Sequence, residues 1–251
     1  MKPNLSVVQQ QVVQAEELSH IPRWKRVSDI LCVLLAAPVI FPVMAIIAVT
    51  IKIVSSGPIF FKQQRIGYLG KPFLFWKFRT MRVGADVSTH KDHLGKLIKA
   101  ELPMTKMDFL GDPRLIPFGA ILRATGLDEL PQLINVLRGD MSLVGPRPCL
   151  PYEYEMYQPW QKQRFDTLPG LTGLWQVSGK NKTTFNEMVR LDILYARNKS
   201  IWLDLKIMGK TISALLTQVR EASGTGKRPD ATKGLSVVSQ GNTKLEASNY
   251  R

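Results

Sequence analysis

The stretch "ILCVLLAAPVIFPVMAIIAVTI", Ile30 to Ile51, carries no charged residue, and its reading decides what kind of protein this is. As a helix it is long enough to cross a hydrocarbon layer about 30 Å thick. Two features argue against simple crossing. Arg23, Lys25 and Arg26 precede the run and Lys52, Lys62 and Arg65 follow it; basic residues mark the cytoplasmic side of a membrane segment, and here they mark both sides. Pro38 and Pro42 stand near the middle, each removing a backbone donor and crowding the carbonyl four residues back. A limb from Ile30 to Phe41 would be about 18 Å long, enough to dip into one leaflet and return through Val43 to Ile51. The expectation is a re-entrant helical hairpin broken at Pro38 or Pro42, with both ends cytoplasmic. A kinked single span and a cleaved signal peptide are the competing readings. The signal peptide fits poorly with the polar start "MKPNLSVVQQQVVQAEELSH" and with the lack of a small-residue cleavage site.

Beyond this segment, "GPIFFKQQRIGYLGKPFLFWKFRTM" reads as a strand, a Gly-containing turn and a second strand. Alternation in the second strand sets Phe73, Phe75, Lys77 and Arg79 on one face. Lys77 and Arg79 then either meet an anion or form a solvated strand end. Residues 82 to 113 are polar and mixed, with a short helix expected around Leu94 to Leu102. "FGAILRATG" predicts a helix that delivers Arg123 near its end, with Gly126 as the stop.

"LDELPQL", residues 127 to 133, sets Asp128 and Glu129 side by side before a proline. Leu130, Leu133, Ile134 and Leu137 follow at helical spacing, with Gly139 closing the helix. Asp128 is then a plausible N-cap, Glu129 a first-turn residue, and Pro131 tolerated. Acidic residues there complement the helix dipole, so capping and chemistry both stand as readings of the pair.

Further on, "GDMSLVGPRP" is a constrained loop that fixes Arg147 between two prolines, and "LPGLTGLWQVSGKN" is another, with a short strand. "TFNEMVRLDILYARN" predicts a helix with Asp192 on the face of Met188 and Tyr195, lining a site or forming a polar edge. "IWLDLKIMGKTISALLTQV" is amphipathic, with Ile201, Leu205, Met208, Ile212 and Leu215 apolar and Lys206 and Lys210 basic. It reads first as a core helix and second as a helix on an anionic membrane surface.

Composition sets the outer bounds. A chain of 251 residues, 45% hydrophobic, supports one sizeable core. The formal charge of +14 calls for an anionic partner without saying which. Cys32 and Cys149 support neither a disulfide framework nor a thiolate metal site, and His90 and His93 have no third ligand nearby.

Taken in order, "KRVSDI", "KFRTM", "LDELPQLINVLRGDMSLVGPRP" and "PGLTGLWQVSGKN" resemble the bacterial sugar transferases, the monotopic polyprenyl-phosphate phosphoglycosyl transferases, from about Trp24 to Thr217. The resemblance implies transfer of a sugar 1-phosphate from a UDP-sugar to undecaprenyl phosphate, releasing UMP, at the cytoplasmic face of the bacterial inner membrane. It implies that Asp128 is the nucleophile of a ping-pong cycle, with Glu129 beside it, and that Lys77, Arg123 and Arg147 face phosphates; Arg79 is a further candidate. Two carboxylates facing a diphosphate call for a divalent cation between them, Mg²⁺ or Mn²⁺, on Asp128 and Glu129. Carboxylates attack phosphorus to give acyl phosphates. The family often has Ser-Pro at its membrane break, whereas this chain has Phe41-Pro42 and Ala37-Pro38.

The implied fold is α+β and mainly α-helical: a monotopic membrane protein with the Pro-broken re-entrant hairpin, a small β-hairpin and amphipathic interfacial helices. Residues 1–23 read as a polar extension, 24–56 as the membrane hairpin, 57–220 as the cytoplasmic catalytic domain and 221–251 as a flexible tail. The lipid bilayer is an expected partner and nucleic acid is not; a homo-oligomer is compatible with this reading. A glycosidase is disfavoured, because its two carboxylates flank the scissile bond about 5 to 9.5 Å apart. A membrane-anchored basic module that binds polyanions would explain the charge, but it leaves Asp128, Glu129 and the two constrained loops without a role.

Overall fold

One α-helix, α1 (Arg23–Val54), runs through the whole apolar stretch and through both prolines without interruption. The computed structural model describes residues 20–84, 114–178 and 183–222. The polar extension up to residue 19, the helix expected around Leu94 to Leu102, the His90 and His93 pair and the tail from residue 223 lie outside the described residues. Among those described, α1 is the one helix long and apolar enough to cross a membrane.

The expected division of this segment into two limbs is not seen. The buried residues of α1 are Lys25, Asp29, Val33, Ile47 and Ile51, and at 100° per residue all five fall within a sector of about 80°. One stripe therefore docks at both ends on the rest of the protein. Pro38 and Pro42 lie on the opposite, exposed side, together with Leu34, Leu35, Val39, Ile46, Val49 and Ile53. On that side each proline removes a donor and crowds a carbonyl away from the docked stripe, and the helix continues through both.

The basic residues read as topology markers are partly engaged inside the fold. Lys25 is fully buried: its ammonium donates to Asp204 Oδ2 at 2.7 Å and to the Tyr195 hydroxyl at 2.8 Å. Arg26 donates to the carbonyls of Val136 and Leu137.

Strands β1 (Phe60–Ile66) and β2 (Pro72–Phe78) form the expected antiparallel hairpin, with Phe61 opposite Lys77 and Gln63 opposite Phe75. After residue 114 come α2 (Gly119–Thr125), a 3₁₀ turn at Leu127–Glu129, and α3 (Gln132–Arg138). Gly126 and Gly139 end α2 and α3 at φ 74° and 88°, a left-handed geometry that glycine adopts at least cost. Next follow β3 (Ser142–Val144), α4 (Pro151–Met156), the short α5 (Pro159–Lys162), β4 (Gly170–Thr172), α6 (Leu174–Val177), α7 (Phe185–Asn198) and α8 (Ile201–Ala222).

Strands β3 and β4 pair in parallel, a second small sheet that turn chemistry alone does not announce. It exists because glycines let two loops touch backbone to backbone: a side chain on Gly145 would meet the Leu168 carbonyl at 2.2 Å, and one on Gly170 would meet the Gly145 nitrogen at 2.0 Å.

The largest core cluster joins Ile66, Cys149, Tyr157, Phe165, Trp175, Phe185, Met188, Val189 and Ile193. Burial pushes the Cys149 thiol up to about 12, so it is an inert core side chain. Val33 of α1 packs with Phe75, Leu133, Val136 and Met141, while Ile47 and Ile51 pack with Phe78, Ile116 and Leu122.

Helix α8 meets the first expectation for it only in part. Leu203, Ile207 and Met208 pack inward with Val144 and Tyr195, beside buried Asp204. Ile201, Trp202, Leu205, Ile212 and Leu216 are exposed, so a second apolar face points away from the core.

Candidate active site

Asp128 caps no helix. It sits in the 3₁₀ turn between α2 and α3; Pro131 occupies the N-cap position of α3, and no side chain makes the capping hydrogen bond there. The residue is nevertheless buried, with 9% of its side chain exposed. A buried carboxylate without a structural duty is costly, and that cost is the first mark of a functional group.

Its surroundings come from three elements. Lys77 on β2 reaches across to the pair, 2.7 Å from Glu129 Oε1 and 3.6 Å from Asp128 Oδ2. Arg123, in the last turn of α2, pulls the Asp128 carboxyl down electrostatically. Burial pushes that carboxyl above its ordinary range; Lys77 offsets the push, Glu129 adds to it, and Arg123 offsets it further.

The strand is locked to the turn by Asn135, which is completely buried in α3. Its side-chain oxygen accepts from the Trp76 N–H at 3.2 Å and its amide donates to the Leu74 carbonyl at 2.7 Å. One side chain thus satisfies the open edge of β2 on both sides of Phe75 and fixes Lys77 opposite the carboxylates.

Arg147 is exposed between buried Pro146 and Pro148. Together with Glu129 it lines a cleft whose walls also include Arg65, Gln132 and Gln176. The structure thus brings together Lys77, Arg123, Asp128, Glu129 and Arg147.

Two expected site residues lie elsewhere. Arg79 is 4% exposed, and its guanidinium donates to the carbonyls of Ser56 at 2.6 Å and Ser55 at 2.8 Å. It closes the C-terminus of α1, where a cation complements the dipole, and has left the face of Lys77 because β2 ends at Phe78. Asp192 is buried against Arg164, whose guanidinium also donates to the Arg147 carbonyl and to the Tyr157 hydroxyl. Asp192 therefore braces the Arg147 loop from within and lines no site.

Arg65, Gln132 and Gln176 carry no motif in the sequence: Arg65 reads there as a basic flank of the apolar segment, and a lone glutamine signals nothing. Strand alternation, which sets Arg65 and Gln63 on one face of β1, is the one signal the sequence offers.

Two adjacent carboxylates with no third acidic, histidine or cysteine ligand among the described residues do not make a zinc site. They do suit Mg²⁺ or Mn²⁺, which binds through one or two carboxylates and takes its other ligands from phosphate and water.

The bacterial sugar transferase family model matches residues 21–218. Galactosyl transferase CpsE of Streptococcus agalactiae is 46% identical over 167 residues, covering 64% of this chain and 35% of the streptococcal protein. This chain thus spans about a third of that relative's length. The exopolysaccharide production protein ExoY of Sinorhizobium fredii is 38% identical over 191 residues, 76% of this chain and 84% of ExoY. UDP-glucose:undecaprenyl-phosphate glucose-1-phosphate transferase of Caulobacter vibrioides is 39% identical over 201 residues, 77% of this chain and 70% of that protein.

Proposed function

This chain belongs to the bacterial sugar transferases, and from that premise we propose that it moves a sugar 1-phosphate from a UDP-sugar to undecaprenyl phosphate in two displacements. The observation that carries the proposal is Asp128: a buried carboxylate that caps nothing, beside Lys77 and Glu129.

In the first displacement an Asp128 oxygen bonds to the sugar-bearing phosphorus, and the bond from that phosphorus to the bridging oxygen breaks, so UMP departs with the electron pair. In the second, an oxygen of the lipid phosphate bonds to the same phosphorus and the Asp128 oxygen leaves. The product is undecaprenyl-diphosphate-sugar, and the carboxylate is regenerated. The partly desolvated carboxylate is the stronger nucleophile for its raised proton affinity. Lys77 keeps the two carboxylates together and neutralises the incoming phosphoryl oxygens, and Arg123 adds a second positive charge. Asp128 and Glu129 would hold Mg²⁺ or Mn²⁺, which would supply charge neutralisation of the diphosphate.

The lipid acceptor explains the exposed apolar surface. The outer face of α1 and the apolar face of α8 are the surfaces offered to a bilayer, with Lys206 and Lys210 available to anionic headgroups. Both ends of α1 dock on the same folded body, which supports a monotopic arrangement at the cytoplasmic face, with the middle of α1 entering one leaflet. Initiation of an exopolysaccharide or related glycan is the role this reaction serves.

The test is formation of lipid-linked sugar by detergent-solubilised protein from a panel of UDP-sugars, with and without Mg²⁺ and the Asp128→Asn change. Product that requires undecaprenyl phosphate, the cation and Asp128 supports the reading; product made equally well by Asp128→Asn removes the nucleophile.

A further inference from the structure

The cleft beside Glu129 contains more polar chemistry than the fold uses. Gln132 is 2% exposed, and its Nε2 is buried without a hydrogen-bond partner. Arg65 Nε and Gln176 Oε1 are likewise buried and unpartnered. All three residues line the same cleft as Arg147. A buried donor or acceptor left unmet is costly, so three lining one cleft that also includes Glu129, the neighbour of the reactive carboxylate, describe a site shaped for something other than the protein.

The arrangement of charge says what kind of group. Arg65 and Arg147 face the cleft from opposite elements, β1 and the Pro-Arg-Pro loop. Burial lowers the Arg65 proton affinity and the nearby charge of Arg147 lowers it further, while the buried Glu153 carboxylate offsets part of that push; a second anion between the two guanidinium groups would relieve the rest. The floor is apolar, with the Arg65 guanidinium 5.4 Å from the centre of the Phe75 ring, so water gives Arg65 little relief there, while Arg147 remains exposed. Two guanidinium forks and an amide donor suit a phosphate bearing two charges. The single unmet acceptor, Gln176 Oε1, suits an O–H or N–H on the group attached to that phosphate.

The walls are fixed for this purpose. Gly145 N–H donates to the Thr172 carbonyl and Gly170 N–H to the Pro146 carbonyl, which ties the Arg147 loop to the strand preceding Gln176. Arg164 holds the Arg147 carbonyl from behind.

We propose that Arg65, Arg147 and Gln132 form the subsite for the phosphate of the departing nucleoside monophosphate, with Gln176 contacting its nucleoside. This rests on the transferase reading, in which Asp128 attacks one phosphate of the donor and the other must be held next to it. The cleft touches Glu129 and includes no residue of α1, which favours the nucleotide over the lipid phosphate as the source.

The experiment titrates the full chain in detergent with UMP, uridine and a short-chain polyprenyl phosphate, using wild type, Arg65→Gln, Arg65→Lys and Gln132→Leu. The expected result is UMP affinity reduced at least tenfold in Arg65→Gln and Gln132→Leu. Arg65→Lys should lie between, uridine affinity should change less than threefold, and polyprenyl phosphate affinity should be unchanged. UMP binding indifferent to Arg65 overturns the subsite. Loss confined to polyprenyl phosphate also overturns it and assigns the cleft to the acceptor. An accompanying transfer assay separates the two claims. Arg65-dependent UMP binding without transfer removes the reaction and keeps the cleft, whereas transfer with Arg65-independent binding removes the cleft alone.

Discussion

The Lys77 ammonium lies 2.7 Å from Glu129 Oε1 and 3.6 Å from Asp128 Oδ2, so one cation serves both carboxylates of the candidate active site. Its position follows from the β-hairpin register and from the grip of Asn135 on the edge of β2. Replacing Lys77 by Met leaves the pair to repel each other and any phosphate that approaches. Transfer should fall at least about a hundredfold, the scale of removing one preorganised charge from a transition state. Lys77→Arg should retain an intermediate rate. Steady-state assays of both variants check this; wild-type turnover in Lys77→Met contradicts it.

The raised proton affinity of Asp128 has a consequence for stability. Because burial lifts its folded-state pKa above the unfolded value, the charged carboxylate is less favoured in the folded protein than in the unfolded chain. The favourable contribution is fully present below the unfolded pKa and is lost as pH rises through the folded pKa. Asp128→Asn removes the charge at similar volume. In metal-free buffer the variant should melt above wild type at pH 8, with the gap closing as the pH falls into the acid range. Thermal melts over a pH series test this; a variant that melts lower at pH 8 shows that the carboxylate has a structural role.

Lys25 of α1 and Asp204 of α8 form a buried ion pair at 2.7 Å, joined by the Tyr195 hydroxyl. Asp204→Asn strands a buried ammonium and should cost about 3–5 kcal/mol, whereas Lys25→Met combined with Asp204→Leu should recover most of the loss. Denaturant titration of the single and double variants provides the comparison. Additive losses would show that the two groups act independently.

Much of this was legible because it is local. The hairpin followed from alternation, the ends of α2 and α3 from Gly126 and Gly139, and α7 from its apolar spacing; a reciprocal cap between Thr184 and Glu187 starts α7. The Asp128–Glu129 pair was legible as a candidate site but not as a choice between capping and chemistry. That choice turns on where α3 begins, a matter of one helical turn. What could not be read is what depends on distant contacts. The inward face of α8 is set by Asp204 meeting Lys25, 179 residues away, and the burial of Arg79 by carbonyls at the end of α1. Arg147 and Gln176 come together because two glycine-lined loops close on each other, and Arg65 and Gln132 reach the same cleft from β1 and α3. The continuity of α1 across its prolines is equally non-local, since docking at both ends offsets the lost hydrogen bonds.

The monotopic reading makes a topological prediction. In a Cys32→Ala background, with Cys149 left as an inert core thiol, single cysteines in place of exposed His20 and Ser56 bracket α1. Both should react with an impermeant maleimide in inside-out vesicles and neither in right-side-out vesicles. Labelling from opposite sides would establish a spanning helix instead.

The central claim is a covalent phosphosugar on Asp128, and intact-protein mass spectrometry reads it directly. Wild-type protein is incubated with its preferred UDP-sugar and Mg²⁺ in the absence of lipid acceptor, then acid-quenched. The account predicts one added sugar phosphate per chain, mapped to the peptide containing Asp128, matched by one equivalent of UMP and discharged on adding undecaprenyl phosphate. UMP release that occurs only when undecaprenyl phosphate is present, with the chain mass unchanged throughout, would contradict it and point to direct transfer between the two substrates.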